Sequence, residues 1–166
     1  EHLFSLAPFK SVNYIDCTAK DPEAECLRYT ELLKTNPTDI VVMGIGENGH
    51  IAFNDPPADF NDQRAYKVVT LDERCLQQQI GEGWFKNVEE TYKQAISMTC
   101  AQIMKCKSII SVVPYKVKAE AIYNTLTREL TPEVPATLMK QHADCTIYCD
   151  ADSASLLTDE IAKQYI

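Results

Sequence analysis

A chain of 166 residues with 45% hydrophobic and 24% charged residues has the size and composition of one globular domain with a buried core. Its formal net charge of −8 argues against binding to nucleic acid through clustered Lys and Arg, whereas a small phosphorylated substrate needs only a few local donors. Neither a membrane-spanning helix of roughly 20 apolar residues nor a secretory signal is recognisable, so we expect no membrane and no nucleic-acid partner.

The predicted elements alternate between strands and helices along the chain. Strands are expected at residues 12–15, 39–44, 66–71, 108–113 and 145–149, and helices at 21–34, 88–94, 101–105, 116–126, 135–139 and from 153 onward. Residues 39–44 form a continuous apolar run, which is typical of a strand buried on both faces. The alternation predicts one α/β domain over residues 1–166, with a Rossmann-like, open, mostly parallel sheet and helices on both of its faces.

The first residues indicate that this domain is incomplete. Residue 1 is Glu rather than an initiator Met, and residues 1–10 resemble the end of an element already under way. We therefore expect the sequence to be the carboxy-terminal portion of a longer protein.

The seven cysteines are an odd number, and their spacings do not match a paired metal-binding motif. Free, buried thiols in a reducing compartment are the simplest interpretation. We therefore expect a cytoplasmic protein without a metal site.

A glycine-rich turn after the apolar run carries the most information about function. Gly44, Gly46 and Gly49 lead into His50, and Asp55 follows shortly after. The glycine spacing matches the dinucleotide-binding fingerprint, but residues 54–57, Asn-Asp-Pro-Pro, come too soon for the long helix that this fingerprint requires.

The better interpretation is that the glycines let the backbone approach a ligand and direct His50 into a crevice beyond a strand end. An isolated histidine is more often a structural residue with a local hydrogen bond. Here the turn and the neighbouring Asn48 and Asp55 favour a proton-transfer role, because imidazole titrates near neutrality and a carboxylate can fix its tautomer.

Residues 44–56, Gly-Ile-Gly-Glu-Asn-Gly-His-Ile-Ala-Phe-Asn-Asp-Pro, resemble the signature of the glucosamine-6-phosphate deaminase/isomerase family, which is related to the 6-phosphogluconolactonases. Residues 51–54 resemble the deaminase branch more closely, and weaker similarity extends through 96–99, 118–119 and 135–138. The resemblance implies conversion of glucosamine 6-phosphate to fructose 6-phosphate and ammonia through ring opening and C2–C1 proton transfer. No cofactor is implied, and a homo-oligomer is compatible with it.

The resemblance also implies roles for individual residues. His50 corresponds to the histidine that assists ring opening, while Asp55 stands where the family commonly has Glu and Asn48 where many members have Asp. Lys118 lies near the family's phosphate-binding lysine. Lys116 is the alternative on spacing alone, and either lysine could instead be a solvated residue at a helix start. Gly46 and Gly49 would contribute backbone to the substrate site.

Two departures from the family pattern leave alternatives open. Gln79 stands where some family members have a phosphate-binding Arg. Either Arg74 takes over this role, or the substrate differs, or residues 77–79 and Trp84 form a loop that caps the fold. The family's early Ser/Gly/Thr phosphate loop and its proton-shuttling Asp have no counterpart here. The rival functions are therefore a sugar-phosphate lactone hydrolase and a sugar-phosphate-binding homologue without catalysis.

Overall fold

A computed structural model describes residues 3–71 and 73–165, except for the side chain of Arg74. The helices and strands, in chain order, are α1 (Pro22–Thr35), β1 (Ile40–Met43), β2 (Tyr66–Thr70), α2 (Glu73–Gly81), β3 (Gln94–Met98), α3 (Cys100–Ile103), β4 (Ser108–Val113), α4 (Ala119–Thr127), β5 (Cys145–Cys149) and α5 (Asp159–Ala162). Short 3-10 helices cover Val88–Glu90, Lys116–Lys118 and Pro135–Gln141.

The main sheet is parallel and has the strand order β1-β4-β5. β2 and β3 pair separately in antiparallel orientation. The predicted fold class, an open and mostly parallel α/β sheet, is therefore confirmed. Because β1 and β4 run in parallel and pair along their length, the segments that follow them leave the sheet at the same edge.

The main hydrophobic core lies on one face of this sheet. Ile109 and Val113 of β4 pack there against Ile103 of α3, Ile122 of α4 and Met139 of the last 3-10 helix, and all five are almost completely buried. Ile45 and Ile51, from either end of the glycine turn after β1, belong to the same cluster. The core therefore holds this turn in position at the end of the sheet.

The opposite face of the sheet is exposed. We call it the open sheet face, and its apolar members are Ile40, Val42, Ile110, Val112 and Tyr148. The side chains of Ile40 and Val42 are 55% and 71% exposed. The prediction that the strand at 39–44 is buried on both faces is wrong, because alternate side chains of β1 are exposed.

The segment at residues 12–15 was predicted as a strand, and this prediction is wrong. The segment has no regular structure and is instead held by helix α1: Arg28 Nη2 donates to Tyr14 O (3.0 Å) and Tyr29 Oη to Asn13 O (2.7 Å). Hydrogen bonds from side chains of α1 thus hold this segment, in place of pairing with another strand.

Three other boundaries differ from the prediction. The expected helix at 88–94 shrinks to one 3-10 turn, Val88–Glu90, followed by the strand Gln94–Met98. Residues 77–79 lie in helix α2 rather than in a loop. The last helix begins at Asp159 instead of near Ser153.

The seven cysteines are thiols, and four of them are buried: Cys26, Cys75, Cys100 and Cys106. Cys17 and Cys149 are exposed. Within residues 3–71 and 73–165, no helix has the length and apolar character that crossing a membrane requires.

Candidate active site

The turn between β1 and His50 is closed by its own backbone. Gly46 N–H donates to His50 O (2.9 Å), and Gly49 N–H donates to Gly46 O (3.0 Å). A Cβ atom on Gly46 would lie 2.2 Å from Cε1 of His50. The imidazole therefore lies directly against Gly46, and only glycine leaves room for it.

Gly49 has a different role. Its φ of +83° is in the left-handed region, and a Cβ atom there would lie 2.8 Å from Val134 Cγ1. Its carbonyl accepts a hydrogen bond from Ala136 N–H (2.9 Å), which ties the turn to the 3-10 helix Pro135–Gln141. Gly49 and Asn48 border a separate cavity of about 350 Å³, so Gly49 does not lie on the cavity described below.

His50, Asn48 and Asp55 form one polar cluster. Asn48 Nδ2 donates to Asp55 Oδ1 (3.1 Å), and Asn48 Oδ1 accepts from the His50 backbone N–H (3.0 Å). His50 Nδ1 lies 3.1 Å from Asp55 Oδ1, a contact that has the distance of a hydrogen bond but not its direction. Both side chains are largely buried, at 13% and 16% exposure.

The electrostatics of the cluster favour a charged Asp55. The His50 imidazole lowers the pKa of the Asp55 carboxyl against the opposing effect of burial, and the Asn48 amide adds to the lowering. A neutral imidazole with its proton on Nδ1 would place that proton next to the Asp55 carboxylate. Nε2 is then the nitrogen left to exchange a proton with a ligand.

The segment after His50 is anchored to strand β3. Buried Asn54 donates through Nδ2 to Ile51 O and to Met98 O, each at 2.8 Å, and Phe53 N–H donates to Ser97 Oγ (3.0 Å). An isolated bridge between Ile51 and Asn54 follows the turn where a dinucleotide site would need a helix. The glycine spacing therefore does not build a pyrophosphate site here.

A cavity of about 780 Å³ opens in front of His50, at the carboxyl ends of β1 and β4. Gly46, His50, Gln79 and Lys118 all line it, although they come from three separate parts of the chain. Asn48 and Asp55 lie behind the imidazole. The structure thus places four of the seven predicted site residues on this cavity and holds Asn48 and Asp55 in contact with His50, whereas Gly49 borders the other cavity.

The two candidate lysines differ in their surroundings. Lys118 is half-buried and lines the cavity, at the start of helix α4. Lys116 Nζ instead donates to Ser155 Oγ (2.6 Å). Of the two, Lys118 is therefore the lysine that can reach a ligand beside His50.

Tyr115, two residues after β4, has a backbone conformation that suits glycine. Its φ of +81° and ψ of 146° lie in a region that residues with a side chain rarely occupy. Its N–H donates to Asp150 Oδ2 (3.0 Å).

Gln79 reaches the cavity from helix α2. The side chain of Arg74, the predicted substitute for the missing arginine, lies outside the described part of the chain. Glu82 lines the cavity too, and it accepts from Gln78 Nε2 (2.8 Å) and Trp84 Nε1 (3.2 Å).

Sequence reasoning did not find Phe53, Glu82 or Tyr115 as lining residues of this cavity. Phe53 stood inside the recognised signature, but nothing in the pattern showed that its ring borders the cavity. Within the described residues, no group of three or more His, Cys, Asp or Glu side chains is arranged to hold a metal ion.

Comparison with known proteins confirms the resemblance seen in the sequence. The model of the family of glucosamine-6-phosphate isomerases/6-phosphogluconolactonases matches residues 1–148. A glucosamine-6-phosphate deaminase of Bacillus cereus is 37% identical over 165 residues, which are 99% of this chain and 62% of that protein. The chain thus spans less than two thirds of the length of this relative.

Solved structures agree. A monomeric glucosamine-6-phosphate deaminase is 36% identical, with a TM-score of 0.77 over 84% of this chain and 57% of that chain. The 6-phosphogluconolactonase of Trypanosoma brucei has a TM-score of 0.61 at 14% identity, over 86% of this chain and 57% of that chain, which shows a shared fold only. The chain belongs to the family of glucosamine-6-phosphate isomerases and 6-phosphogluconolactonases.

Proposed function

We propose that the cavity in front of His50 is the substrate site of a glucosamine-6-phosphate deaminase. The reaction opens the pyranose ring and moves a proton between C2 and C1, and water then hydrolyses the resulting C2 imine, which releases ammonia and leaves fructose 6-phosphate. One observation supports this proposal most strongly. His50, whose imidazole lies next to the Asp55 carboxylate, and Lys118 line the same cavity at the carboxyl ends of the strands.

His50 would transfer the proton of the ring oxygen. With Nδ1 facing Asp55, Nε2 takes the proton of the C1 hydroxyl and gives it to the ring oxygen as the C1–O bond breaks, and the transfer runs in reverse on closure. The charged Asp55 stabilises the imidazolium form, and Asn48 holds both partners in place.

Lys118 would bind the phosphate. It precedes helix α4, where the unpaired backbone N–H groups of the first turn and the helix dipole favour an anion. Gln79 adds a neutral donor, which is weaker than the paired charge-assisted contacts of an arginine.

Glu82 favours an amino sugar over a lactone as the substrate. Its carboxylate borders the same cavity, and no Lys or Arg of the described residues forms an ion pair with it within 4.0 Å. The cavity therefore offers a cation for a phosphate and an anion for an ammonium group.

Isomerisation also needs a base for the proton that moves between C2 and C1. His50, Asp55 and Lys118 are assigned to other steps, so this base is a separate requirement. No cofactor is required, because the carbonyl of the opened sugar takes up the electrons of the broken C–H bond. A cytoplasmic location, where seven thiols stay reduced, belongs to the same proposal.

Product analysis tests the proposal. The protein translated from its complete reading frame should release one ammonia per fructose 6-phosphate formed from glucosamine 6-phosphate. Hydrolysis of 6-phosphogluconolactone without ammonia release would instead identify a lactonase, and tight substrate binding without either product would identify a binding protein.

A further inference from the structure

The segment between β4 and α4, residues 114–118, carries Lys118 to the cavity of His50. We call it the lysine loop. Its backbone turns sharply at Tyr115, whose φ of +81° and ψ of 146° lie in a region that is almost reserved for glycine. Tyr115 is 69% exposed, so burial of its ring does not hold the residue in this conformation.

The backbone of Tyr115 sets the position of Lys118. The Tyr115 carbonyl accepts a hydrogen bond from Lys118 N–H (3.0 Å), which closes the 3-10 turn Lys116–Lys118 that continues into α4. A different φ at Tyr115 would turn this carbonyl away and shift the backbone of Lys118. The place of the cation on the cavity therefore depends on the strained conformation of Tyr115.

One contact can enforce this conformation, and it comes from the residue that follows β5. Asp150 Oδ2 accepts a hydrogen bond from Tyr115 N–H (3.0 Å). Strained backbone persists where surrounding contacts over-determine it, and a carboxylate is a stronger acceptor than a neutral group. The hydrogen bond with Asp150 can therefore offset the strain at Tyr115.

Asp150 is itself held in place by the turn that follows it. Its Oδ1 accepts from Ser153 N–H (2.7 Å), and its own N–H donates to the buried Ser153 Oγ (3.1 Å). The hydrogen bonds from the N–H groups of Ser153 and Tyr115 lower the pKa of the Asp150 carboxyl, which is therefore charged at neutral pH. The carboxylate thus joins two segments that the parallel strands β4 and β5 bring to one edge.

A second contact joins the same two segments. Lys116 Nζ donates to Ser155 Oγ (2.6 Å), and both residues are exposed. This contact shows that the turn after β5 lies against the lysine loop, but it involves side chains alone. Asp150 is therefore the residue of this turn that restrains the backbone of Tyr115.

We propose that Asp150 is a positioning residue for the phosphate-binding lysine. Its carboxylate holds Tyr115 in a glycine-like conformation, and Tyr115 in turn places Lys118 on the cavity. Asp150 is not among the residues that line the cavity, so it acts on a ligand through the backbone of the lysine loop. The inference deepens the proposed function and rests on it for the role of Lys118.

Binding of fructose 6-phosphate, the product of the proposed reaction, tests the inference without turnover. For the protein translated from its complete reading frame, calorimetry should give a Kd about tenfold higher in Asp150→Ala than in the unsubstituted protein. Loss of an anion near a phosphate would by itself tighten binding, so weaker binding reports a displaced lysine. Asp152→Ala removes an exposed carboxylate of the same turn and is the matched control, with a change in Kd of less than about twofold.

Tyr115→Gly supplies the comparison that separates positioning from a general structural role. Glycine adopts a φ of +81° without strain, so the loop then needs the carboxylate less. In the Tyr115→Gly background, Asp150→Ala should raise Kd by less than about threefold. An equal loss of affinity in both backgrounds would overturn the proposal, and so would an affinity that Asp150→Ala leaves unchanged or increases.

Hydrogen exchange of the Lys118 amide separates this inference from the proposed function, because it needs no ligand. Asp150→Ala should speed exchange of this amide about tenfold, since its acceptor is the Tyr115 carbonyl, and the Tyr115→Gly background should reduce the effect. Exchange that Asp150→Ala leaves unchanged would overturn the inference. Absence of fructose 6-phosphate binding by the unsubstituted protein would instead contradict the proposed function.

Discussion

His50 keeps its position because Gly46 has no side chain. The Gly46→Ala substitution places a Cβ atom where the imidazole now lies, 2.2 Å from Cε1, so the ring must move away from the cavity. We expect kcat to fall about 100-fold, since a shift of about 1 Å costs that much in catalysis. The free energy of unfolding should fall by about 1–3 kcal/mol.

Gly81→Ala is the matched control, because a Cβ atom at Gly81 meets no atom within 4 Å. Steady-state kinetics and denaturant unfolding of the two variants should therefore differ sharply. Equal kinetics for both would show that the contact between Gly46 and His50 does not govern activity.

The two lysines allow a second comparison at the residue scale. Lys118→Ala removes the cation on the cavity and should lower kcat/KM by about 10- to 100-fold, mainly by raising KM, because a charge-assisted hydrogen bond contributes about 1.5–3 kcal/mol. Lys116→Ala removes only the contact with Ser155 and should change kcat/KM by less than about twofold. The reverse order of effects would assign the phosphate to Lys116.

At the scale of elements, helix α1 is clamped to the segment before it through Glu25. Arg28 donates to both carboxylate oxygens at 2.6 Å, and Asp16 N–H donates to Oε1 at 2.7 Å. The hydrogen bonds with Arg28, and then that with Asp16, lower the pKa of Glu25 from its ordinary 4.5 to about 2.

This pKa predicts a particular acid sensitivity. A carboxylate with a lowered pKa in the folded state stabilises the fold above about pH 4.5, and this contribution is lost as the pH falls toward about 2. The melting temperature of Glu25→Gln should therefore be clearly below that of the unsubstituted protein at pH 6, with a smaller difference at pH 3. The exposed pair of Glu31 and Lys34 supplies the control. For Glu31→Gln, the difference in melting temperature from the unsubstituted protein should not become smaller between pH 6 and pH 3.

Elements with local sequence signals were predicted well. Asp21 caps α1 through hydrogen bonds to the N–H groups of Glu23 and Ala24, and Asn36–Pro37 ends it, so both boundaries can be seen in the sequence. β4 was predicted at 108–113, where it is found, from its apolar run. The signals for α1 and β4 both lie in residues adjacent to each other in the sequence.

Elements without such signals were missed. β3 forms because Gln94–Met98 pairs with Tyr66–Thr70, more than twenty residues earlier, and this pairing outweighs any helical tendency of residues 88–94. The segment 12–15 is apolar enough for a strand but finds side-chain anchors on α1 instead of a strand partner.

The candidate site also has a part that local sequence predicts and a part that depends on packing between distant elements. His50, Asn48 and Asp55 were found because eight contiguous residues hold all three. Their meeting with Gln79 and Lys118 depends on how α2 and α4 pack around the strand ends, which no local pattern specifies.

For the whole molecule, the cavity and the open sheet face are both formed by the parallel strands β1 and β4. Parallel strands bring the segment after β1 and the segment after β4 to one edge, where His50 and Lys118 face the same space. The same strands present an uncovered apolar face beside that space.

In the proposed function, His50 is the proton-transfer group of an amino-sugar phosphate deaminase. The most direct measurement is ammonia release from glucosamine 6-phosphate by the protein translated from its complete reading frame, compared between His50→Ala and the control His142→Gln, whose ring lies near Cys106 and Asp144. We expect His50→Ala to lower kcat by about 100- to 10,000-fold in a protein that remains folded at the assay temperature, and His142→Gln to retain the rate. A near-normal rate in folded His50→Ala would contradict the account.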